Sequence, residues 1–526
     1  MSNSKLLLLF SGLLFGCLAC NEAAPQDDFD QGVAQVMSHI QRPEINGPHI
    51  ILSEYCGHQP DRKGTYDFHD AIQSAIDSLS SIGGGHLIFT NTAGMESWIK
   101  STEIYRCVGP IELKSNVALG FDPSTRLHFQ FDEKAYLGKD GQGVLRRYEG
   151  TMLYSFSPLI YGMNVENVAI YATGRNGATP VINGDGETWL EWQQAGEKSR
   201  VDRGLKPAYL ALRDVNEAAT PLKTRIFNDI KEDFYRPQLF SLYFSKNILV
   251  EGIKFEESPF WMINPVFCDN LIFKDVALEG NVVNNDGIDP DGCNGVLIEN
   301  VLFNTHDDNI ALKSGRDKEA REGISVEGTE IEGLKNPHIV HGKVGQSKCE
   351  NVFITNCHFK NHYAICIGSE IAAGAKNVYA LDNFALQDIK MGVFLKSNRT
   401  RGGVIENVYV KNFRINQVPQ GDAICVISNY DNDSTSPYPP MFKNIKIENV
   451  TVEKAHRGIR IYGWADAVLE NIELKNINIK EIEEPQHALE YNYVNHLTLD
   501  NVKISDKTYN FTQDKKVAGL NAPQQE

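Results

Sequence analysis

Two short stretches, "NNDGIDPDG" (284–292) and "THDDNIALKSG" (305–315), crowd Asp286, Asp289, Asp291, Asp307 and Asp308 beside apolar runs such as "GVLIENVLF". Carboxylates this close cannot all ionise cheaply, so at least one pKa is expected to rise. A protonated carboxyl can give a proton to a leaving oxygen while an ionised neighbour activates water or attacks. Asp286 and Asp307 are 21 residues apart, close to one coil of a solenoid, which would set them side by side on rungs stacked about 4.8 Å apart. From Asp308, His362, Lys396 and Tyr430 follow at intervals of 54, 34 and 34 residues, compatible with a single column of side chains on one face. Asp-Gly and Asn-Asp are common turn residues, and that plainer role is expected for Asp289 and Asp291. A turn does not explain adjacent acids set before "NIAL", so Asp286, Asp307 and Asp308 are the candidate catalytic residues.

The elements that must hold this column come from a repeat. Asn followed by alternating apolar residues returns along the chain, as in "ENVAI" (166–170), "KNILVEGIKF" (246–255), "NGVLIENVLF" (294–303), "ENVFITNCHF" (350–359), "KNIKIENVTV" (443–452) and "NHLTLDNVKI" (495–504). With "DNLIFKDVAL" (269–278), "KNVYALDNFAL" (376–386), "ENVYVKNFRI" (406–415) and "ENIELKNINI" (470–479) included, most spacings are 23 to 37 residues, with one gap near 56 and one near 80. Alternating β-branched residues mark strands with one face inside, and recurrence at this period marks a solenoid. The repeated Asn suits a turn in which its amide bonds backbone and stacks on its counterpart in the next coil. The expected fold is all-β, a right-handed parallel β-helix with an N-terminal capping helix and loop insertions. A β-propeller would need more regular blades of about 40 residues. "DFHDAIQSAIDSLSSIGGGHLIF" (67–89) predicts the capping helix, with Asp67 as N-cap and glycines after its end. Residues 185–235 and 316–348 read as insertions between coils, the usual material for cleft walls.

Length and composition agree with one elongated domain: 526 residues, 42% hydrophobic and 23% charged. The formal charge of -17 argues against nucleic acid as a partner, and an acidic substrate would need basic residues gathered in the site. At the N-terminus, Lys5 and "LLLLFSGLLFGCLAC" have the layout of an export signal, too short to span a bilayer, and Ala19-Cys20 resembles a lipobox. The expected organisation is a signal over 1–20 with lipidation at Cys20, a tether over 21–48, the β-helix over 49–505 and a C-terminal tail over 506–526. An exported protein follows, periplasmic or anchored to the outer membrane of a Gram-negative bacterium, a monomer that meets membrane only through its lipid. Cys268, Cys357 and Cys366 lie in apolar strand-like runs and read as buried free thiols rather than bridges. No Cys/His cluster suggests a metal.

The runs "SPFWMINP" (258–265), "NNDGIDPDG", "THDDNIALKSGRD" (305–317), "HYAICIGSE" (362–370) and "FLKSNRTRGG" (394–403) resemble, in this order, glycoside hydrolase family 28, the polygalacturonase family of pectin degradation. The similarity runs from about residue 50 to 505, and "IGSE" and "SGRD" look more like its bacterial exo-acting branch. The resemblance implies a right-handed parallel β-helix and an inverting hydrolase without cofactor or metal. It makes Asp307 the general acid, with Asp286 and Asp308 holding and deprotonating the attacking water. Asn284 would bind substrate, His362 would orient the acid, Lys396 would pair with a galacturonate carboxylate and Tyr430 would line the same subsite.

Departures bear on specificity. The family's Arg-Ile-Lys triplet reads Phe394-Leu395-Lys396, His306 replaces a glycine, and Asn361, Tyr363 and Ala364 surround His362. An arginine that would clamp a uronate has become an aromatic. A neighbouring subsite for a less acidic sugar such as rhamnose is therefore expected at Phe394, with galacturonate released from rhamnogalacturonan or a related branched pectin. Arg316, Arg399 and Arg401 are candidates for compensating charge, or simply solvated loop residues. Homogalacturonan hydrolysis, a calcium-dependent β-helix lyase and a non-catalytic glycan-binding surface protein are the alternatives.

Overall fold

The computed structural model describes residues 28–55, 66–90, 103–138, 140–432, 435–513 and 520–521. The expected signal and lipidation site at Cys20 lie outside these residues. The chain winds as a right-handed parallel β-helix in which the strands of the coils pair in parallel with their counterparts one coil later. One inward column shows the register: Ile170 faces Val250, then Phe273, Ile298, Ile354, Ala380, Val410, Ile447, Leu474 and Leu499. These side chains are buried and belong to one continuous core. A change of register by one residue would turn the whole apolar set outward, so alternation and stacking fix each other.

The asparagines do what their recurrence predicts. Asn377 has φ of 56° and its amide donates to Asn351 Oδ1 at 3.1 Å, while Asn407 donates to Asn377 Oδ1 at 3.0 Å. The same ladder joins Asn116, Asn167, Asn247 and Asn270 below, and Asn444 and Asn471 above. Asn tolerates this left-handed bend better than most residues, and each amide meets the donor-acceptor pattern of its neighbour. Where the ladder would pass between Asn270 and Asn351, Gly295 occupies the bend with φ of 73°.

Helix α1 (Asp28–Met37) corrects the expected tether over 21–48. Phe29 and Val36 are buried against outward-facing apolar residues of successive rungs, among them Leu249, Ile272, Phe353 and Tyr379. Gly32 lies where a Cβ would stand 2.2 Å from the Tyr379 ring, so only glycine allows this approach. Residues beyond α1 follow the same surface, with Gln41 N donating to Asn270 Oδ1 at 2.9 Å. Helix α2 (His69–Ser81) buries Ile72, Ala75, Ile76 and Leu79 in the main core. Phe68 is its N-cap, and the Asp67 carboxylate accepts from His69 N at 3.0 Å. The expected tail is also corrected: Lys507–Gln513 pairs antiparallel with Val494–Ile504, and Leu520–Asn521 with Leu489–Asn492. These reversals occupy strand edges that would otherwise be open to another chain.

Helices α3 (Gly186–Asp202) and α4 (Ala208–Glu217) form one insertion, and α5 (Asp317–Glu322) opens the other. Both insertions reach one face of the coil. All seven cysteines among the described residues are buried and free.

Candidate active site

Three successive rungs position the acids. Ile263, Ile288 and Ile310 align in parallel, as do Val266, Asp291 and Lys313. Gly287 N donates to Asp308 O at 2.9 Å and Ile288 N to Asn309 O at 3.0 Å. The inter-rung offset is therefore 22 residues, and Asp286 faces Asp308 rather than Asp307, which precedes it by one position. The next rungs bring Cys366, Phe394 and Cys425 into register above Ala311.

Asp286, Asp307 and Asp308 line one cavity of about 780 Å³ with Asn284, Arg316, Lys396 and Tyr430. Lys396 Nζ lies 2.9 Å from Asp308 Oδ2, with both side chains buried. The Asp308 backbone N–H donates to Asp307 Oδ1 at 3.1 Å. Asp286 Oδ1 and Asp308 Oδ1 are buried and accept no hydrogen bond from the described residues. Burial and the adjacent Asp308 charge push the Asp307 carboxyl up, the change a proton donor needs. Burial first and then Asp289 raise Asp286 well above the usual carboxylate range.

Asp289 and Asp291 are not turn residues at a surface. Both are fully buried. Asp291 Oδ1 pairs with Arg147 Nη1 at 2.9 Å. Burial pushes Asp289 up to about 8 despite Lys313. Lys313 Nζ stands 3.3 Å from Asp286, 3.6 Å from Asp289 and 3.5 Å from Glu370, and 4.1 Å from the Trp261 ring centroid. The two neighbouring carboxyls oppose each other's ionisation, and the shorter contact to Lys313 favours the negative charge on Asp286.

Lys313, Glu370 and Trp261 escaped the sequence reading although all three sit inside the quoted motifs. Alternation carried the missing signal: Ile310 and Leu312 point into the core, so Ala311 and Lys313 must point outward, and Lys313 reaches the cleft. Burial opposes the charge on Glu370, but Lys313, Arg316 and Arg401 hold its carboxyl well below the usual range.

Other expected residues are placed differently. His362 does not line the cavity; its ring lies 4.9 Å from that of His306, and burial and Lys390 lower its pKa to about 4. Phe394 does not line the cavity. It is 5% exposed in an apolar cluster with Cys366 and Cys425, its ring between Tyr363 and Tyr430 and beneath the Lys396 ammonium at 4.8 Å. The aromatic thus props the lysine. Arg316 and Arg401 are buried cavity residues paired with Asp317 at 3.1 and 3.2 Å, not solvated loop groups. Arg399 instead pairs with Asp466. Asn284 Oδ1 accepts from buried Arg236 Nη2 at 2.9 Å, which turns its amide nitrogen away from that arginine.

Adjacent rungs of a right-handed β-helix thus present three cleft carboxylates, the groups that glycoside hydrolysis uses. Residues 223–454 match the family model of glycosyl hydrolases family 28. The chain is 24% identical over 330 residues to a probable polygalacturonase of Vitis vinifera, covering 62% of this chain and 55% of the relative. An exo-poly-alpha-D-galacturonosidase of Dickeya chrysanthemi is 23% identical over 253 residues, covering 45% of this chain and 37% of the relative. The chain thus spans about half or less of the curated relatives it matches. Among solved structures, a hyperthermoactive exopolygalacturonase from Thermotoga maritima superposes with a TM-score of 0.75 at 26% identity, covering 93% of this chain and 99% of that one. A polygalacturonase from Erwinia carotovora shares the fold, with a TM-score of 0.59 at 18% identity over 87% of this chain and 98% of that one.

Proposed function

We propose that this protein is an inverting, exo-acting galacturonidase that hydrolyses α-galacturonosidic linkages in pectic fragments. The observation that carries the reading is the sharing of one cavity by Asp286, Asp307 and Asp308, with Lys313, Lys396, Arg316 and Arg401 around them. Asp307 protonates the leaving oxygen, and Asp286 and Asp308 hold the attacking water through their unpartnered oxygens. Buried cations supply fixed partners for a substrate carboxylate that the chain's overall negative charge would not attract. The exo mode is supported by the insertion helices, which add Arg213 and Glu217 from α4 and Arg321 from α5 to the cavity wall. The names of the Thermotoga and Dickeya relatives agree with it.

The finer reading is release of galacturonate from rhamnogalacturonan or a related branched pectin. Its support is that Phe394 offers no donor where an arginine would clamp a second uronate. Product analysis tests both levels. Monomeric galacturonate from the chain end, without internal cuts, is expected from rhamnogalacturonan fragments. Rapid release from homogalacturonan oligomers with rhamnogalacturonan untouched would sink the finer reading, and an unsaturated product formed only with calcium would sink the hydrolase itself.

A further inference from the structure

A second cavity, of about 500 Å³, lies between α3 and α4 and is lined by Tyr148, Gln194, Val201 and Tyr209. Glu149, Arg213 and Asn284 line both it and the cavity that holds the acids. The two spaces therefore adjoin at these three side chains, a catalytic arm and a second arm. Nothing in the hydrolytic step uses the second arm.

The junction is built rather than incidental. Arg236, 2% exposed, lines the arm and donates to Gln193 Oε1 at 2.5 Å, Pro259 O at 2.6 Å, Val283 O at 2.9 Å and Asn284 Oδ1 at 2.9 Å. That fixed acceptor commits the Asn284 oxygen and leaves its NH2 to face a ligand passing the fork. Arg213 lies over the Tyr209 ring at 4.9 Å and stands 3.5 Å from Glu149.

Four deeply buried cations, Lys313, Lys396, Arg316 and Arg401, lie among the acids of the catalytic arm. In the second arm each cation is committed: Lys198 to Asp202 at 2.6 Å, Arg213 to Glu149, and Arg236 to carbonyl and amide oxygens. Glu149, Glu197 and Asp202 match these three cations in number, so no surplus positive charge attracts a uronate. What remains is tyrosine and valine surface with an exposed Gln194 amide, the mixed apolar and hydrogen-bonding lining that suits an uncharged sugar.

We propose that the arm between α3 and α4 is a subsite for a neutral sugar that branches from, or neighbours, the galacturonate held at the acids. The insertion then selects a branched pectic substrate as well as walling the cleft. This inference rests on the galacturonidase reading of the catalytic arm, and the experiment separates the two.

Val201 on α3 is 54% exposed, so Val201→Trp can fill the arm without disturbing the core. Affinities are measured by calorimetry for a galacturonate oligosaccharide bearing one neutral monosaccharide branch and for its unbranched counterpart. The full-length Asp307→Asn protein is used with and without Val201→Trp, alongside turnover of both ligands by the unsubstituted protein. The expected result is a loss of about tenfold in affinity for the branched ligand and a change of less than about twofold for the unbranched one. Tyr209→Ala should shift the same ratio in the same direction. Equal affinities before substitution, or equal losses after it, would overturn the proposal. Discrimination in binding without turnover of either ligand would leave the arm standing and overturn the hydrolase reading.

Discussion

The Lys313 ammonium and the Asp286 carboxylate form a buried ion pair 3.3 Å apart, with side chains 2% and 5% exposed. Lys313 also touches Asp289 and Glu370, so it is the charge that lets several buried acids coexist. Removing it leaves Asp286 next to Asp289 without a counter-charge, and protonation of both becomes the cheaper state. Lys313→Met is expected to lower kcat by about a hundredfold, the scale of losing one fixed electrostatic contact in a site. Since a base works ionised, the rising acid limb of the rate profile should also move to higher pH. Lys313→Arg should recover part of both effects. Rates normalised to folded enzyme, followed across pH, decide the point, and an unmoved acid limb would count against it.

Asp307 carries the opposite requirement. Its carboxyl is raised by burial and then by Asp308, and an acid works protonated, so kcat/KM should fall as pH rises through that raised value. Asp307→Asn should reduce kcat by about two to four orders of magnitude while substrate still binds. Asp308→Asn removes the repelling neighbour and frees the Lys396 charge, which lowers the Asp307 pKa. The descending limb of its residual activity should therefore shift to lower pH. A limb that stays in place would show that another group donates the proton.

The fold was legible because its causes are local and repeated. Alternation, an Asn at each bend and a period of one coil are visible in a string of letters, and the Asn351, Asn377 and Asn407 ladder is their direct outcome. The acids were legible by adjacency, but their pairing was not. A gap of 21 residues suggested Asp286 beside Asp307, whereas one extra residue in the turn sets Asp286 against Asp308. The characters of Asp289 and Phe394 were illegible for a different reason. Both depend on what another rung supplies: Lys313 and the surrounding core make an apparent turn residue a buried carboxyl of the acid cluster, and Tyr363 and Tyr430 cover an aromatic expected to meet substrate. Phe29 in α1 looked like part of a polar tether because the apolar surface that receives it comes from strands far along the chain.

The asparagine ladder can be tested apart from activity. Asn377 bends the backbone at φ of 56° and makes one amide bond to each neighbouring coil. Asn377→Ala loses both bonds and forces alanine into the left-handed region, an expected cost of about 2–4 kcal/mol. Asn377→Gly loses the bonds but keeps the bend, so it should cost about 1 kcal/mol less. Guanidinium denaturation at fixed pH gives the order, wild type above Gly above Ala. Gly and Ala variants of equal stability would show that the bend, as opposed to the ladder, carries no strain.

Asp289 gives a pH dependence whose sign follows from its burial. Its carboxyl is pushed up to about 8 in the folded protein, against about 3.9 when unfolded. The folded state therefore binds the proton more tightly. Its contribution to stability is fully present below about pH 3.9 and is lost as pH rises through about 8. Asn is nearly isosteric and cannot titrate, so Asp289→Asn removes this loss while Lys313 keeps Asp286 and Glu370 as partners. The melting temperature of Asp289→Asn, relative to wild type, should be higher at pH 9 than at pH 5. Paired thermal scans at the two values measure this difference directly. If the offset between variant and wild type is the same at both, Asp289 does not carry a proton in the folded protein, and the shared proton of the acid cluster must lie on Asp286 or Asp307.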